Sequence, residues 1–240
     1  MVERNAVRRA YDDVSEVYAA QRSENGNGRG AEILTEFLDS LSDPSSVLDA
    51  GCGQGTPVLD ELSASTAAFG VDFSREQLRL AAANVPDAAL VQGDMTTLPF
   101  DDAAFDAVVA YWSLIHVPMD DHRAVIDEFA RVLRPGGRIL LCEGTNEWIG
   151  ENPDWLESGV RMAWNIAGAE TTRAQLRSAG FAIEDRWGAP EVLAGDEEQE
   201  QEQEQKQNDA DDNVDSEDED DDDDNDDDFP WTFFAARLET

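Results

Sequence analysis

The chain has 240 residues, of which 54 are acidic and 17 basic, and its net charge is −37. This length suits one substantial core, so a single domain over residues 1–240 is expected. The longest apolar run, near residues 108–115, is too short to span a membrane, and the first residues lack the apolar core of a signal peptide. Cys52 and Cys142 cannot form a disulfide framework and have no metal-ligand neighbours. A cytoplasmic protein without a metal site is therefore expected.

The acidity extends over the whole chain. Residues 195–228 hold 21 acidic residues and Lys206, which is the only lysine, whereas the other 206 residues still carry 33 acids and 16 arginines. Such a chain repels itself in dilute buffer, and molar salt screens that repulsion. We therefore predict a salt-loving source, the alternative being an ordinary acidic protein with an unusual insertion. The scarcity of basic residues argues against nucleic acid as a partner.

The first half of the chain alternates helices with short apolar runs. Three-to-four spacing of apolar residues predicts helices over 1–22 and 32–41. Ser74 is expected to cap a helix that runs toward Asn84. The other elements predicted here are strands at 47–49, 67–71 and 89–92 and a helix at 58–62.

The second half continues this alternation. A strand over 105–112 precedes a helix that opens at Asp120, where His122 is expected to be solvated, and that stops at 134–137. A strand at 138–142 follows, and residues 151–167 are predicted to be helical. Thr172 is expected to cap a helix up to Ala179. The last two predicted strands are 181–187 and 231–238.

This order of elements predicts an α/β fold. Strands that alternate with helices form a parallel sheet covered on both faces, here a Rossmann-like, doubly wound sheet of seven strands. The last two strands have no helix between them, so they should pair as an antiparallel terminal hairpin. The acidic segment 195–228 is then predicted to be a disordered insertion in the hairpin loop, because it has almost no apolar residues to bury.

Residues 47–55 read Val-Leu-Asp-Ala-Gly-Cys-Gly-Gln-Gly. A buried strand ends at Asp49, and a glycine turn then leads into a helix. Glycines let a ligand lie close to the main chain, and this arrangement binds nucleotide-like cofactors at the carboxyl end of a sheet. Asp72 lies about 20 residues further on, a spacing that serves ribose hydroxyls in dinucleotide folds. A cofactor with a ribose is therefore predicted.

The order and spacing of its sequence motifs make the chain resemble the class I S-adenosylmethionine-dependent methyltransferases. The resemblance extends over roughly residues 8–240, without 195–228. The segments that carry the resemblance are Asp49–Gly55, Val71–Ser74, Gly93–Met95 with Leu98–Phe100, Phe105–Val109 and Leu133–Gly137. The resemblance implies S-adenosylmethionine as cofactor and a small molecule as methyl acceptor. Such a transfer depends mainly on aligning the nucleophile with the methyl carbon.

The resemblance also implies roles for particular residues. Asp49 helps to hold the cofactor's ammonium group, Phe73 packs on adenine, and Asp94 accepts from the adenine amino group. Phe73 and Met95 equally suit an ordinary core, and Asp94 equally suits a turn cap. The residues expected to hold the cofactor are Asp49, Ala50, Gly51, Gly53, Asp72, Phe73, Asp94, Met95 and Tyr111.

On the substrate side, His116 follows the fourth strand and is a candidate general base, the alternative being a polar residue that closes the strand. Residues 1–45 are expected to form a helical lid, because such a segment covers the cofactor in similar enzymes. Its candidate contacts are Tyr11, Tyr18 and Arg22. Trp112 is a further candidate, and with Trp148, Trp155 and Trp164 it suits either an apolar pocket or the core.

Three other functions are considered. A nicotinamide-dependent oxidoreductase is disfavoured because the third glycine of a GxGxxG motif would fall at Thr56. A non-catalytic binding module would use the acidic segment as its interaction surface. The third alternative is methyl transfer to RNA or protein instead of to a small molecule. The scarcity of basic residues argues against RNA as the acceptor.

Overall fold

The computed structural model describes residues 3–24, 28–63, 66–190 and 229–239. The predicted acidic insertion at 195–228 lies outside the described residues. Among the described residues, no helix is both long and apolar enough to cross a membrane. The helices are α1 (Arg4–Glu24), α2 (Arg29–Asp39), α3 (Val58–Ser63), α4 (Arg75–Asn84), α5 (Met119–Val132) and α6 (Ala169–Ser178), with a short 3-10 helix at Leu114–His116.

The strands form one large sheet and one hairpin. They are β1 (Ser46–Ala50), β2 (Ala67–Asp72), β3 (Ala89–Gln92), β4 (Phe105–Ala110), β5 (Leu133–Gly144), β6 (Trp148–Trp155), β7 (Val160–Ile166), β8 (Phe181–Ala189) and β9 (Trp231–Leu238). The seven-stranded sheet has the order β3-β2-β1-β4-β5-β9-β8. Strands β1 to β5 pair in parallel, whereas β9 runs antiparallel to both β5 and β8. The predicted mostly parallel sheet with an antiparallel terminal hairpin is confirmed.

Both faces of the sheet are covered, as a parallel sheet requires. Neighbouring residues of β1 show the alternation, because Val47 belongs to the buried cluster that includes residues of α1, α2 and α3, whereas Leu48 belongs to the cluster that includes residues of α5 and α6. Both side chains are fully buried. The strand order reverses beside β1, so the carboxyl ends of β1, β2 and β4 open on a crevice where such sheets bind ligands.

The helix predicted over residues 151–167 is wrong. These residues form most of the β6–β7 hairpin, in which Trp148 pairs with Ile166 and Glu151 with Ala163. Met162, Trp164 and Ile166 are buried at a spacing of two, which is the period of a strand. Three residues of the connecting turn, Leu156, Glu157 and Gly159, have positive φ, which ends any helical path.

Three smaller expectations are also corrected. The fourth strand ends at Ala110, two residues before its predicted end, because Trp112 has φ +56° and leaves the extended conformation. Thr172 does not cap a helix, since α6 already begins at Ala169 after Gly168. His122 is not solvated but fully buried, and its Nε2 lies 2.9 Å from the carbonyl oxygen of Val117. The expected cap at Ser74 is confirmed, because its Oγ accepts from the Gln77 backbone N–H.

Candidate cofactor and acceptor site

The glycine turn after β1 lies between β2 and the segment that follows β4. Gly51, Gly53 and Gly55 all have positive φ, which side chains with a Cβ rarely adopt. The Gly51 N–H donates to the Val71 carbonyl at 2.8 Å, and the Ser113 hydroxyl donates to the Ala50 carbonyl at 2.7 Å. A Cβ on Gly51 would lie 2.3 Å from the Ser113 Cβ. The turn is therefore packed too tightly for any larger residue at this position.

Asp72, at the end of β2, connects this turn to α4. Its Oδ2 accepts from the Gly53 N–H at 2.9 Å, and its Oδ1 accepts from the Ser74 N–H at 2.8 Å. The side chain is buried, and burial raises the pKa of Asp72 to about 6 although these backbone hydrogen bonds oppose the shift. The carboxylate thus has a fixed orientation and keeps free lone pairs for a ligand's hydroxyl groups.

Asp49 is a second buried carboxyl group at the same edge of the sheet. Only 2% of the residue is exposed. Burial raises the pKa of Asp49 well above its ordinary value, and the negative charge of Asp72 raises it further. Two acids held so close in a nonpolar setting favour a cationic ligand, because a positive charge stabilises both ionised forms.

One cavity collects most of the residues expected to form the site. The residues predicted from the sequence that line it are Tyr11, Tyr18, Asp49, Gly51, Gly53, Asp72, Phe73, Asp94, Met95, Tyr111, Trp112 and His116. Ala50 is fully buried and contributes its carbonyl to the Ser113 contact instead. Arg22 belongs to α1, but its side chain lies outside the described part of the chain. Trp155 and Trp164 are buried in the core, and Trp148 is 37% exposed.

Helix α1 lines one side of the cavity and is held there by polar contacts. Asp12 Oδ1 accepts from the Ser74 hydroxyl at 2.7 Å, at the first turn of α4. Arg4 donates to Asp94 Oδ2 at 2.8 Å and to the Thr96 hydroxyl at 2.6 Å. Asp94, the residue expected to contact adenine, therefore also forms an ion pair with Arg4 of α1.

Tyr11 and His116 face each other within this cavity. The Tyr11 hydroxyl lies 2.7 Å from His116 Nε2, and each residue is 8% exposed. Burial lowers the pKa of His116 to about 4, and the Ala163 backbone opposes this shift, so the imidazole is neutral near pH 7. The Tyr11 ring makes edge contacts with His116, Tyr18 and Trp155 at centroid distances of 5.2 to 5.4 Å. These contacts hold the hydroxyl in one place.

Sequence reasoning missed several polar residues that line the cavity, among them Arg4, Ser113 and Gln77. Arg4 lies within the first predicted helix but not at one of its apolar positions, and Ser113 is a polar residue within the apolar run near residues 108–115. Gln77 is 1% exposed and lies in the first turn of α4, beside Gly53. The sequence signal for this position was its place three residues after the helix cap Ser74. All three depend on contacts between segments that are distant in the sequence.

Comparison with known protein families identifies part of the chain directly. Residues 47–137, from β1 into β5, match the family model described as a methyltransferase domain. The demethylmenaquinone methyltransferase of Mycolicibacterium vanbaalenii is 35% identical over 139 residues, which is 58% of this chain and 57% of that protein. The chain therefore spans little more than half the length of this curated relative.

Solved structures share the fold over a greater length. A SAM-dependent methyltransferase from Methanosarcina mazei superposes with a TM-score of 0.64 at 20% identity, covering 85% of this chain and 97% of that one. A 1,6-didemethyltoxoflavin-N1-methyltransferase from Burkholderia thailandensis, with bound S-adenosylhomocysteine, gives a TM-score of 0.64 at 18% identity. The superposition covers 98% of this chain and 88% of that one. At these identities the likeness establishes the fold.

Proposed function

We propose a methyl-transfer reaction for this chain, which belongs to the class I S-adenosylmethionine-dependent methyltransferases. In this proposal the methyl group of S-adenosylmethionine passes to a small-molecule acceptor. The observation that carries the proposal is the contact between the glycine turn and Asp72, whose Oδ2 accepts from the Gly53 N–H at 2.9 Å. It brings a main-chain surface and a ribose acceptor together in one acidic cavity.

The residues present fit this cofactor. Asp72 accepts from the ribose hydroxyls, and Asp49 stabilises the ammonium group beside the main chain of Gly51, Gly53 and Tyr111. Phe73 and Met95 enclose the adenine, and Asp94 accepts from its amino group. Among the described residues that line the cavity, Asp49, Asp72 and Asp94 are opposed by one cation, Arg4. This charge suits a cofactor that carries a sulfonium and an ammonium group but a single carboxylate.

The cofactor supplies a methyl group on a good leaving group. The protein's part is then to orient the acceptor, exclude water and hold the reacting atoms in line, which is proximity catalysis. Helix α1, acting as a lid within residues 1–45, keeps water out of the cavity through its contacts with Ser74 and Asp94.

A small molecule is the acceptor class that we favour. The Mycolicibacterium relative is named for demethylmenaquinone and the Burkholderia neighbour for 1,6-didemethyltoxoflavin, and both names denote small molecules. Of the Lys and Arg side chains in the described part of the chain, Arg4 alone lines the cavity, which does not favour a nucleic-acid phosphate backbone.

Cofactor binding is tested by calorimetry with S-adenosylhomocysteine in 3 M KCl. We expect Asp72→Ala to weaken binding by roughly 10- to 100-fold, because a hydrogen bond to a charged group contributes about 1.5–3 kcal/mol. Affinity of the unmodified protein should also fall from pH 7 to pH 5, since the pKa of Asp72 is about 6 and its protonated form is a poorer acceptor.

Asp87→Ala is the matched control, because Asp87 is an exposed turn residue. It should leave the affinity for S-adenosylhomocysteine unchanged. NAD should give no heat with any of these proteins. If a folded sample gave a heat of binding with NAD and none with S-adenosylhomocysteine, the result would favour an oxidoreductase and exclude a methyltransferase.

We further propose a cytoplasmic, salt-adapted enzyme in which the acidic segment 195–228 is dispensable for the fold. The terminal pair Ala189 and Trp231 brings β8 and β9 together on either side of that segment. A shorter loop should therefore close the same hairpin. The entropic cost of closing the loop should fall by about 1 kcal/mol, which stabilises the folded state.

Deleting residues 196–227 tests both parts of this proposal. We expect the shortened protein to bind S-adenosylhomocysteine with unchanged affinity. The melting temperatures of both proteins should rise between 0.2 and 3 M KCl, because the residues outside 195–228 still carry 33 acids against 16 arginines. Loss of cofactor binding would contradict the dispensable segment, and a salt-independent melting temperature would contradict salt adaptation.

A further inference from the structure

The acceptor end of the cavity has a distinct chemical character. Its walls after β4 and on α1 are aromatic, with Tyr11, Tyr18, Tyr111 and Trp112 facing the space. Trp112 has a φ of +56°, and its ring packs edge-on against the ring of Trp231 with 4.6 Å between the ring centroids. These contacts fix the orientation of the Trp112 ring. Rigid aromatic walls suit a planar apolar molecule.

The charges of the described wall residues restrict the acceptor further. Arg4 is the only Lys or Arg side chain among them, and it is already paired with Asp94 and Asp121. An acceptor with a carboxylate or phosphate group would therefore meet Asp49 and Asp72 without a compensating cation. A cationic acceptor would in turn meet the positive charge of the cofactor. An uncharged acceptor avoids both penalties.

The wall also contains one polar pair that is positioned to receive a proton. Tyr11 and His116 are 2.7 Å apart and both line the cavity. When the His116 proton is on Nδ1, Nε2 accepts from the Tyr11 hydroxyl, and the Tyr11 oxygen remains able to accept from an acceptor hydroxyl. A neutral amine attacks without prior deprotonation, whereas a phenol or enol is a weak nucleophile until it loses its proton. A proton-receiving pair thus favours a hydroxyl acceptor.

From these observations, and resting on the proposed function, we infer that the acceptor is an uncharged planar molecule with a phenolic or enolic hydroxyl group, and that Tyr11 and His116 receive its proton. The acceptor proton moves to the Tyr11 oxygen as the Tyr11 proton moves to His116 Nε2. The acceptor oxygen bonds to the methyl carbon, and the carbon–sulfur bond breaks with its electron pair left on sulfur. The products are a methyl ether and S-adenosylhomocysteine, and the imidazolium later loses its proton to water.

Three bicyclic probes test the acceptor class: 1-naphthol, 6-hydroxy-2-naphthoic acid and 1-naphthylamine. Each is incubated with the full chain and S-adenosylmethionine in 3 M KCl, and methylated product and S-adenosylhomocysteine are measured by mass. We expect 1-naphthol to be methylated at least about tenfold faster than the other two probes. Faster turnover of the acid or the amine, or no methylation of 1-naphthol, overturns the inference.

The proton-receiving pair is tested with His116→Gln and Tyr11→Phe. General base catalysis contributes about 10²–10⁴-fold, so each variant should methylate 1-naphthol at least about 100-fold more slowly at pH 7. The unmodified rate should be nearly flat from pH 6 to pH 8. The rate of His116→Gln should instead rise about tenfold per pH unit, because it follows the naphtholate fraction. A parallel pH profile in the variant would overturn the role of His116.

Two controls separate this inference from its premise. His122→Gln removes the other histidine, which lies outside the cavity lining, and it should keep the unmodified rate. S-adenosylhomocysteine binding by each variant, measured by calorimetry, shows that the fold and the cofactor site are intact. Failure to bind S-adenosylhomocysteine by the unmodified protein contradicts the proposed function, whereas binding without naphthol methylation contradicts only the acceptor inference.

Discussion

Replacing Gly51 by alanine is expected to abolish S-adenosylhomocysteine binding and to lower the free energy of unfolding by several kcal/mol. Two separate effects add at this position. Its φ of +80° lies in the left-handed region, which costs a residue with a Cβ about 1–2 kcal/mol. The new Cβ would also lie 2.3 Å from the Ser113 Cβ, and relieving such an overlap costs typically another 1–3 kcal/mol.

Neither partner has room to move away. Ser113 is held by the hydrogen bond from its hydroxyl to Ala50, and Gly51 by the hydrogen bond from its N–H to Val71. Relief of the overlap must therefore shift the turn against β2 or against the segment after β4. Either shift moves the Gly53 N–H away from Asp72, so the loss of stability is accompanied by loss of the cofactor site.

Gly136→Ala is the matched control for this substitution. Gly136 has a nearly identical φ of +77°, but a Cβ there would have no atom within 4 Å. The control should lose only the conformational contribution of about 1–2 kcal/mol, which corresponds to roughly 2–8 °C in melting temperature, and should keep its affinity. Thermal melts and calorimetry in 3 M KCl measure both properties. Equal losses in the two variants would show that packing against Ser113 is unimportant.

Glu143→Gln is expected to make the protein more stable than the unmodified chain in alkaline solution and to flatten its pH dependence. Glu143 lies at the end of β5 and is fully buried. It accepts from the Gly144 N–H at 3.0 Å and from the Thr172 hydroxyl at 3.3 Å. Burial raises the pKa of Glu143 to about 8, although these hydrogen bonds oppose the shift.

The buried neighbour of Glu143 favours the protonated form as well. His122 Nδ1 lies 3.8 Å from Glu143 Oε2, and its Nε2 must donate to the carbonyl of Val117. Burial lowers the pKa of His122, so the ring is neutral and presents the Nδ1 lone pair to the carboxyl group. A protonated carboxyl group or an amide can donate toward that lone pair, and a carboxylate cannot.

The sign of the pH effect follows from these proton affinities. The unfolded chain releases the Glu143 proton near its ordinary pKa of 4.5, whereas the folded chain holds it up to about pH 8. Between these values the folded state binds more protons, so this group lowers stability by about 1.4 kcal/mol for each rise of one pH unit. Above about pH 8 both states are ionised and the contribution is constant.

Thermal melts of both proteins from pH 5 to pH 9 measure the effect. The advantage of Glu143→Gln should grow by roughly 3 °C per pH unit up to about pH 8. Because folding lowers the pKa of His122, the stability of the protein rises as the pH increases toward 6.5, the ordinary pKa of histidine. This contribution is the same in both proteins. Glu157→Gln, at an exposed turn position, should give no such difference. Parallel curves for Glu143→Gln and the unmodified protein would contradict a buried protonated Glu143.

Local patterns were sufficient wherever a segment carried its own signal. The run from Val47 to Gly55 combines a buried strand with a glycine turn, and the structure has both. The strand, helix and strand order predicted the parallel sheet, and the missing helix before Trp231 predicted the antiparallel pairing of β8 and β9. These features depend on backbone conformation and burial, which neighbouring residues largely determine.

Segments with mixed patterns required the tertiary structure. Residues 151–167 have apolar residues at spacings that suit either a helix or a strand, and packing of Met162 and Trp164 against the aromatic cluster of α1 and the 3-10 helix selected the hairpin. His122 looked solvated beside two acids in the sequence, yet its face of α5 turns inward onto β5.

The sheet, the glycine turn, the acidic strand ends and the charge could be derived from the amino-acid sequence, because period, glycine positions and composition act within one segment. The contact of Tyr11 with His116, the ion pair of Arg4 with Asp94 and the burial of Glu143 beside His122 could be seen only in the folded protein. These pairs join residues far apart in the chain, and their distances and desolvation arise when helices pack on the sheet, which no local pattern encodes.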